Sequence, residues 1–355
     1  MDIQTYTLDK KALVSSYITD FLKRDQIQLY SAINRWGNDA INRLLPFTLN
    51  GKLLRSSLLF LAVESFSKRD YQDITVKTAS AIELFQTGLL IHDDIMDRDE
   101  SRRGIDSMHI QYKKIFEQGG DKKAGRTGES FALLVGDMSF SLAFQILSTI
   151  DTSDLSQKLI ALIASELGTV CVAQMQDTYG GGTEKQLTND EILSVYAYKT
   201  GRYSIGLPLV AGGIIAGVDE QTIKKLWKMG TTLGILYQIK DDWLNIFGDP
   251  QKTGKPVGSD IREGKQTLYY YFLMEKSTGD NKKELLQLFG DPNLSDKDIA
   301  TIKKQVIDFQ IDVNIHAIVE KQEKIADEII AHLPITEDDR KKLRNFILYL
   351  KKRDA

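Results

Sequence analysis

Apolar residues recur at intervals of three and four along most of the chain. The clearest sets are Leu53, Leu54, Leu58 and Leu61; Leu155, Leu159, Leu162 and Ile163; and Ile325, Ile329, Ile330 and Leu333. This spacing places each set on one face of an α-helix. The sequence contains no sustained alternation of β-branched residues bounded by turn pairs, so strands are not expected as a major element. The pattern predicts an all-α protein of ten or more helices.

Helix-breaking residues divide this pattern into segments. The six prolines each stand where a helix is expected to begin or end: Pro46, Pro208, Pro250, Pro256, Pro292 and Pro334. The breaks at residues 118–128, 180–183, 248–264 and 277–281 do not resemble long flexible linkers. The simplest architecture is therefore a single domain over residues 1–355, arranged around a central cavity.

Composition restricts the classes of function. With 42% hydrophobic and 27% charged residues the chain is globular, and its net charge of −3 does not favour nucleic acid or an anionic membrane. The single cysteine, Cys171, excludes an internal disulfide and is expected to be buried in its apolar helix. The longest apolar stretch, residues 206–218, is shorter than the about 20 residues that cross a bilayer. Without a secretory signal, a cytoplasmic protein with no stable membrane insertion is expected.

An acidic cluster ends one nearly uncharged helical run. It consists of Asp93, Asp94 and Asp97, and Arg102 and Arg103 follow shortly afterwards. Asp93 and Asp97 share a helix face, where like charges near a helix C-terminus are unfavourable without an external cation. Oxygen ligands favour Mg²⁺, and paired arginines suit phosphate because the guanidinium fork matches its oxygens. The cluster predicts a magnesium–diphosphate site.

A second acidic cluster, Asp241 and Asp242, ends another helical run. A segment rich in glycine, proline and lysine follows it and includes Lys255 and Lys265, which can turn back onto a phosphate. The two clusters are expected to face each other across the cavity. A further string, from Gly51 to Arg55, places two cations beside a helix N-terminus that favours anions, although such a string alone is more typical of ordinary surface cations.

Residues 85–104 resemble the first aspartate-rich motif of the trans-prenyltransferases, the family of farnesyl, geranylgeranyl and longer polyprenyl diphosphate synthases. Residues 238–267 resemble the second motif, and the motifs occur in order over residues 45–270. The resemblance implies the isoprenoid synthase fold in a single polyprenyl synthetase domain, and a homodimer. It also implies head-to-tail (1′-4) condensation of isopentenyl diphosphate with an allylic diphosphate, either dimethylallyl, geranyl or farnesyl diphosphate.

The resemblance assigns roles to individual residues. It implies that Mg²⁺, as three ions with substrate bound, is held by Asp93, Asp94, Asp97, Asp241 and Asp242. The expected catalytic residues are Asp93, Asp94, Asp97, Lys199 and Asp241. The expected substrate-binding residues are Gly51, Lys52, Arg55, Gln86, Arg102, Arg103, Lys199, Thr200, Gln238, Lys255 and Lys265. Among them, Arg102 is expected at the allylic diphosphate and Arg103 at isopentenyl diphosphate.

Several nearby polar residues are expected to have other roles. Asp137, Asp177 and His92 are expected to support the structure and not to bind metal. Asn245 stands where the family often has a third aspartate in the second motif. Since an amide oxygen adds no charge, weaker binding of one ion is expected.

Product length depends on residues that precede the first motif. In the family, a large residue five positions before the motif gives short, 15-carbon products. The growing product is expected to lie in a tunnel beside the helix that carries Asp93. Gly88, next to Leu89, is expected to leave this tunnel open five residues before the motif. Phe85 lies about one turn, or about 5 Å, deeper in the tunnel. If the Phe85 side chain closes the end of the tunnel, the expected product is geranylgeranyl diphosphate. If Phe85 faces the core instead, products of about 25 to 35 carbons are expected.

Three other functions share features of this sequence. A class I terpene cyclase shares the fold and the first motif, but the nearest match to its second motif, residues 189–194, has the wrong spacing and lacks the final Glu. A head-to-head synthase would lack the segment from Lys255 to Lys265. A weakly active subunit of a heteromeric synthase is disfavoured because Lys199, Asp241 and the acids and arginines of the first motif are all present.

Overall fold

The computed structural model describes residues 2–183, 185–249 and 257–352. Helices dominate these residues and confirm the predicted all-α class. The α-helices are Ile3–Leu22, Asp25–Ile33, Arg35–Leu49, Leu54–Phe66, Gln72–Met96, Met108–Gln118, Ala124–Ser148, Ser153–Gly182, Asn189–Val195, Leu207–Ala216, Glu220–Phe247, Ser259–Arg262, Leu268–Lys276, Gly279–Leu288, Asp296–Asp308, Ile311–Ala331 and Glu337–Lys352. A π-helix, Tyr196–Gly206, precedes Leu207–Ala216.

The chain forms two compact units. The first comprises Met1–Ile163 and Pro208–Asp219, and the second comprises Ala164–Leu207 and Glu220–Ala355. Helix Gln72–Met96 belongs to the first unit and is buried on nearly every side from Thr75 to Gly88, as expected of a helix that is apolar all round. The central cavity and the single domain stay predictions.

A short hairpin follows helix Gln72–Met96. Strands Ser101–Arg102 and Ile105–Asp106 pair antiparallel, and the two residues between them, Arg103 and Gly104, have positive φ angles of 54° and 78°. Positive φ at both central residues is the geometry of a two-residue hairpin turn whose twist matches that of the strands. The hairpin is consistent with the prediction that strands are minor, and it fixes the backbone of both arginines of the first motif.

Two predictions about individual residues are wrong. Pro46 lies inside helix Arg35–Leu49 and not at its end. The burial of Leu44 and Phe47 beside it maintains the helix despite the missing backbone hydrogen bond. Cys171 is exposed, because the buried face of its helix includes Val170 and position 171 is rotated about 100° away from it.

Two helices are long and apolar enough to cross a membrane by length and composition. They are Ala124–Ser148, with 44% of its apolar window buried, and Ser153–Gly181, with 28% buried. Core helices of soluble proteins satisfy the same criterion, and Ala124–Ser148 contributes Leu142 and Ile146 to the core. The absence of membrane insertion therefore stays a prediction.

Candidate active site

The middle carboxylate of the first acidic motif is a buried partner of an arginine. Asp94 is completely buried near the C-terminal end of helix Gln72–Met96, and it accepts a hydrogen bond from Nε of Arg102. Nη2 of Arg102 also lies 3.7 Å from Oδ2 of Asp93 and 3.3 Å from Oδ2 of Asp99. Burial raises the pKa of Asp94 to about 7, although the charge of Arg102 opposes this rise. Asp94 thereby holds the Arg102 guanidinium beside the motif.

The outer carboxylates of this motif fit a hard divalent cation. Asp93 and Asp97 are both partly exposed and lie one turn apart, and Oδ2 of the buried Asp94 accepts no hydrogen bond. Within residues 2–183, 185–249 and 257–352, no three His, Cys, Asp or Glu side chains are gathered closely enough to hold a metal by themselves. A bound Mg²⁺ would complete its shell with water and substrate phosphate, as this ion usually does.

The Gly51 string and the arginine pair meet in the structure. A Cβ on Gly51 would lie 2.4 Å from Nη1 of Arg103, so glycine is needed here for the guanidinium to rest on the backbone. The amide of Asn50 donates to the main-chain oxygen of Arg103 (2.9 Å), and Lys11 donates to that of Gly51 (2.8 Å). Two sequence motifs that were each predicted to bind substrate are therefore in contact.

Glu83 was missed by the sequence reasoning. Its buried carboxylate accepts hydrogen bonds from the main-chain N–H (3.1 Å) and the hydroxyl (2.7 Å) of Ser56, in the first turn of helix Leu54–Phe66. A carboxylate is favourable there because of the helix dipole. Glu83 ties the helix that carries Arg55 to the helix that carries the buried Gln86. The only signal in the sequence was one acid within an uncharged run.

In the second unit, glycine pairs bring two backbones into direct contact. A Cβ on Gly234 would lie 1.9 Å from the Cα of Gly201, and one on Gly230 would lie 2.2 Å from the Cα of Gly206. The π-helix Tyr196–Gly206 thus lies directly on helix Glu220–Phe247. The contact was not predicted, because each glycine is unremarkable in the sequence until its partner is known. It fixes the segment that carries the predicted substrate-binding residues Lys199 and Thr200.

A chain of hydrogen bonds links the π-helix to the second acidic motif. The hydroxyl of Thr200 donates to Gln238 (2.8 Å), and the Gln238 amide donates to Asp242 (3.0 Å). The other oxygen of Asp242 accepts from the hydroxyl of Tyr196, which in turn accepts from the main-chain N–H of Leu268 (3.0 Å). These bonds bring three predicted site residues together and fix the orientation of the Gln238 side chain.

The two acids of the second motif have different surroundings. Asp242 is buried, and burial, followed by the nearby charge of Asp260, raises its pKa well above the ordinary value. Asp241 is exposed. The first motif is divided in the same way, because Asp94 is buried and bonded to Arg102 while Asp93 and Asp97 are partly exposed. In this arrangement the buried acids anchor neighbouring side chains, and direct metal binding by them stays a prediction.

The predicted lysines have carboxylate partners. Nζ of Lys199 lies 2.6 Å from Oδ2 of Asp177, which gives Asp177 the structural role that was expected. Nζ of Lys265 lies 2.6 Å from Oε2 of Glu263. Lys255 lies outside the described residues. Each described pair holds an ammonium group that an incoming diphosphate would have to share or displace.

Asn245 fastens the segment that follows the second motif. Its amide nitrogen donates to the hydroxyl of Ser259 (2.6 Å), and its amide oxygen accepts from the main-chain N–H of Asp260 (3.2 Å). Its main-chain oxygen also accepts from the N–H of Gly258 (2.8 Å). These three bonds give Asn245 a structural role in holding residues 258–260. Weaker binding of a third ion stays a prediction.

The product tunnel was predicted to be open beside Gly88, and this prediction is wrong. A Cβ on Gly88 would lie 2.5 Å from Cε1 of Phe140, whose ring fills that place from helix Ala124–Ser148. Phe85 is completely buried, with ring centroids 5.7 Å from Phe140 and 5.0 Å from Phe144. Leu89 is half-buried. The helix that leads to the first motif is therefore lined on this side by aromatic rings.

Comparison with known proteins decides the family. Residues 36–306 match the family model described as polyprenyl synthetase. The chain belongs to the polyprenyl synthetase family. This polyprenyl synthetase is 32% identical over 252 residues to the short chain isoprenyl diphosphate synthase of Methanocaldococcus jannaschii, covering 70% of each chain. It is 27% identical over 339 residues to the geranylfarnesyl diphosphate synthase of Aeropyrum pernix, covering 95% and 97%.

A solved structure agrees with the fold of this polyprenyl synthetase. The geranylgeranyl pyrophosphate synthase from Corynebacterium glutamicum, complexed with isoprenyl diphosphate and magnesium, aligns with a TM-score of 0.89 at 25% identity, covering 99% of this chain and 100% of that one. The predicted isoprenoid synthase fold and family resemblance are confirmed, and the protein is a prenyltransferase. The family acts on isopentenyl and allylic diphosphates.

Tyr196→Phe tests the hydrogen-bond chain of this polyprenyl synthetase. The change removes the donor to buried Asp242 and the acceptor of the Leu268 N–H. We expect the free energy of unfolding, measured by urea denaturation, to fall by about 1–3 kcal/mol. The matched control is Tyr271→Phe, which removes an exposed hydrogen bond to Glu275 and should change stability by no more than about 0.5 kcal/mol. Equal effects of the two changes would contradict this role of Tyr196.

Proposed function

We propose that this polyprenyl synthetase catalyses the magnesium-dependent 1′-4 condensation of isopentenyl diphosphate with allylic diphosphates to give geranylgeranyl diphosphate. The observation that carries the proposal is the first acidic motif, in which Asp93 and Asp97 lie at the surface and buried Asp94 holds Arg102 beside them. Carboxylates for a cation and a guanidinium for phosphate are thus assembled at one helix end.

The first unit supplies groups for both substrates. Mg²⁺, when bound by Asp93 and Asp97, supplies positive charge that stabilises the leaving diphosphate. Arg102 is aimed at the same end of helix Gln72–Met96 and binds the allylic diphosphate. Arg103, which rests on Gly51, binds isopentenyl diphosphate. Fixed cations of this kind act where negative charge develops in the transition state, which is the electrostatic basis of the proposed catalysis.

In the proposed reaction Asp241 binds a cation and Lys199 binds diphosphate. Thr200 and Gln238 present polar atoms in an orientation fixed by their mutual hydrogen bond. In the reaction the allylic C–O bond breaks and its electron pair leaves with diphosphate. The isopentenyl double bond attacks the allylic carbon to form the new C–C bond. The departing diphosphate takes the proton lost from the isopentenyl unit.

The proposal extends to assembly and location. A homodimer is supported by apolar side chains that remain exposed on two long helices, with Leu134 65% exposed on Ala124–Ser148, and Val172 66% and Met175 69% exposed on Ser153–Gly182. A second copy of the chain would remove this apolar surface from water. The molar mass in solution, measured by light scattering, tests this assembly. A cytoplasmic location is consistent with the unpaired Cys171.

The function is tested by assaying pyrophosphate release from the purified full-length protein. Isopentenyl diphosphate is combined in turn with dimethylallyl, geranyl and farnesyl diphosphate, and the products are separated by chromatography. We expect turnover that a chelator abolishes and added Mg²⁺ restores, with geranylgeranyl diphosphate as the main product. No pyrophosphate release with any of the three primers in the presence of Mg²⁺ would refute the proposed reaction.

A substitution in the same assay tests the role of the first motif. Asp93→Asn should reduce kcat/KM by about 10²–10³, because it removes a charged oxygen from the cation that stabilises the leaving group. Asp154→Asn is the matched control, since it changes an exposed carboxylate paired with Lys158 on the surface. Full activity of Asp93→Asn would exclude this carboxylate from the site.

A further inference from the structure

The N-terminal helix Ile3–Leu22 reaches the turn that leads into helix Leu54–Phe66. Nζ of Lys11, whose side chain is half-buried, donates a hydrogen bond to the main-chain oxygen of Gly51 at 2.8 Å. This N-terminal helix lies outside residues 36–306, which match the family model. A part of the chain that the family match does not include therefore contacts a predicted substrate-binding residue.

The helix that carries Lys11 is itself fixed in the first unit. Val14, one turn after Lys11, is completely buried. Nζ of the preceding residue, Lys10, lies 2.6 Å from Oε1 of Glu64, near the end of helix Leu54–Phe66. The two lysines thus fasten the N-terminal helix to both ends of helix Leu54–Phe66, so Lys11 holds the turn from a support that is anchored elsewhere.

The turn that Lys11 holds has an unfavourable backbone. Leu53, directly before helix Leu54–Phe66, has φ 50° and ψ 43°. This left-handed conformation costs a leucine free energy, because its Cβ comes too close to the following carbonyl oxygen. Such a backbone persists only where surrounding contacts maintain it. The bond from Lys11 is one of these contacts, and the burial of Gly51 makes the loss of a donor to its carbonyl costly.

The position of this turn also determines the position of Arg103. The Arg103 guanidinium rests on the Cα of Gly51, since a Cβ there would lie 2.4 Å from Nη1 of Arg103. Asn50 donates to the main-chain oxygen of Arg103 at 2.9 Å. Both the backbone and the guanidinium of Arg103 are therefore placed by residues 50 and 51. A displacement of Gly51 after the loss of Lys11 would displace Arg103 with it.

Lys11 also adds positive charge beside the turn. Lys52 and Arg55 follow Gly51 in the chain, and Arg103 lies against it, so Lys11 joins a group of basic side chains. A concentration of like charge favours an anionic ligand such as diphosphate. The contact of Lys11 with the Gly51 carbonyl and its charge therefore act in the same direction.

We propose that Lys11 is a positioning residue for isopentenyl diphosphate, because it holds Gly51 where Arg103 can bind the diphosphate of this substrate. This assignment rests on the proposed prenyl transfer and deepens it. Lys11 supports binding equally before and during the reaction, so its loss should weaken the binding of one substrate and leave the chemical step unchanged. Binding of the allylic diphosphate by Arg102 should not depend on Lys11.

Three substitutions at Lys11 test the proposal in the pyrophosphate assay. Lys11→Met removes the ammonium group and should raise KM for isopentenyl diphosphate about tenfold, as expected for the loss of a charge-assisted hydrogen bond. Both kcat and KM for the allylic primer should stay within about twofold of wild type. Lys11→Arg keeps a charged donor and should bring KM for isopentenyl diphosphate back to within about threefold. Lys11→Gln should lie between them, so the order of KM values tests the proposal even where the methionine variant fails to fold.

The matched control is Lys10→Met on the same helix. It removes the ion pair with Glu64 between the same two helices, but it leaves the bond to Gly51 in place, so KM for isopentenyl diphosphate should not change. Folded Lys11→Met with the wild-type KM for isopentenyl diphosphate would overturn the proposal. So would an equal rise in KM for both substrates, or an equal effect of Lys10→Met. A wild-type protein that releases no pyrophosphate would instead refute the proposed function on which the assignment rests.

Discussion

Arg102→Met is expected to damage both activity and stability. The change removes the guanidinium that binds the allylic diphosphate, so kcat/KM should fall by about 10²–10³. It also leaves the fully buried Asp94 without its ion-pair partner, which should lower the free energy of unfolding by about 3–5 kcal/mol. Pyrophosphate release and urea denaturation measure the two effects. Arg102 is therefore predicted to contribute to both the stability and the activity of the enzyme.

Two further variants separate these effects. Arg102→Lys keeps the charge but loses the planar fork, so it should restore more stability than activity. Arg126→Met removes an exposed arginine paired with Glu129 and should change stability by no more than about 0.5 kcal/mol. Wild-type stability of Arg102→Met would show that Asp94 does not need this partner.

Gly234→Ala is expected to separate the π-helix from helix Glu220–Phe247. The new Cβ would lie 1.9 Å from the Cα of Gly201, and a main-chain atom cannot rotate away as a side chain can. We expect the free energy of unfolding to fall by about 3 kcal/mol. Because Lys199 and Thr200 directly precede Gly201, prenyl transfer should fall with it. Circular dichroism during urea denaturation and the pyrophosphate assay check the two results.

Gly125→Ala is the matched control for this change. Gly125 also lies in a helix, Ala124–Ser148, but a Cβ there would meet nothing within 4 Å. Its replacement should leave activity unchanged and raise stability by no more than about 0.5–1 kcal/mol, because alanine is the better helix former. Similar losses from both glycines would show that helix propensity, and not the backbone contact, governs Gly234.

Local patterns account for what was predicted correctly. Apolar spacing is a property of consecutive residues, so helix Gln72–Met96 and its acidic end followed from the sequence. Charge spacing within one helix likewise predicted that Asp93 and Asp97 lie on one helix face. The family resemblance supplied the roles of Arg102 and Arg103, and the match over residues 36–306 confirmed the family.

Contacts between distant residues account for what was missed or wrong. Glu83 meets Ser56, and Tyr196 meets Asp242, across separations that no local pattern encodes. The tunnel was expected to be open beside Gly88, because the sequence shows that this residue lacks a side chain. The sequence does not show which neighbouring residue fills the space. That neighbour, Phe140, lies 52 positions later in the chain.

The sequence by itself therefore determined the helices and the acidic motifs, because helix periodicity and charge spacing act between residues a few positions apart. The reaction class followed from the resemblance of these motifs to a known family. The tertiary structure alone decided which acid in each motif is an anchor and which glycines are contacts between helices. These depend on burial and on the distance between segments remote in the chain, and both quantities exist only after the helices have packed.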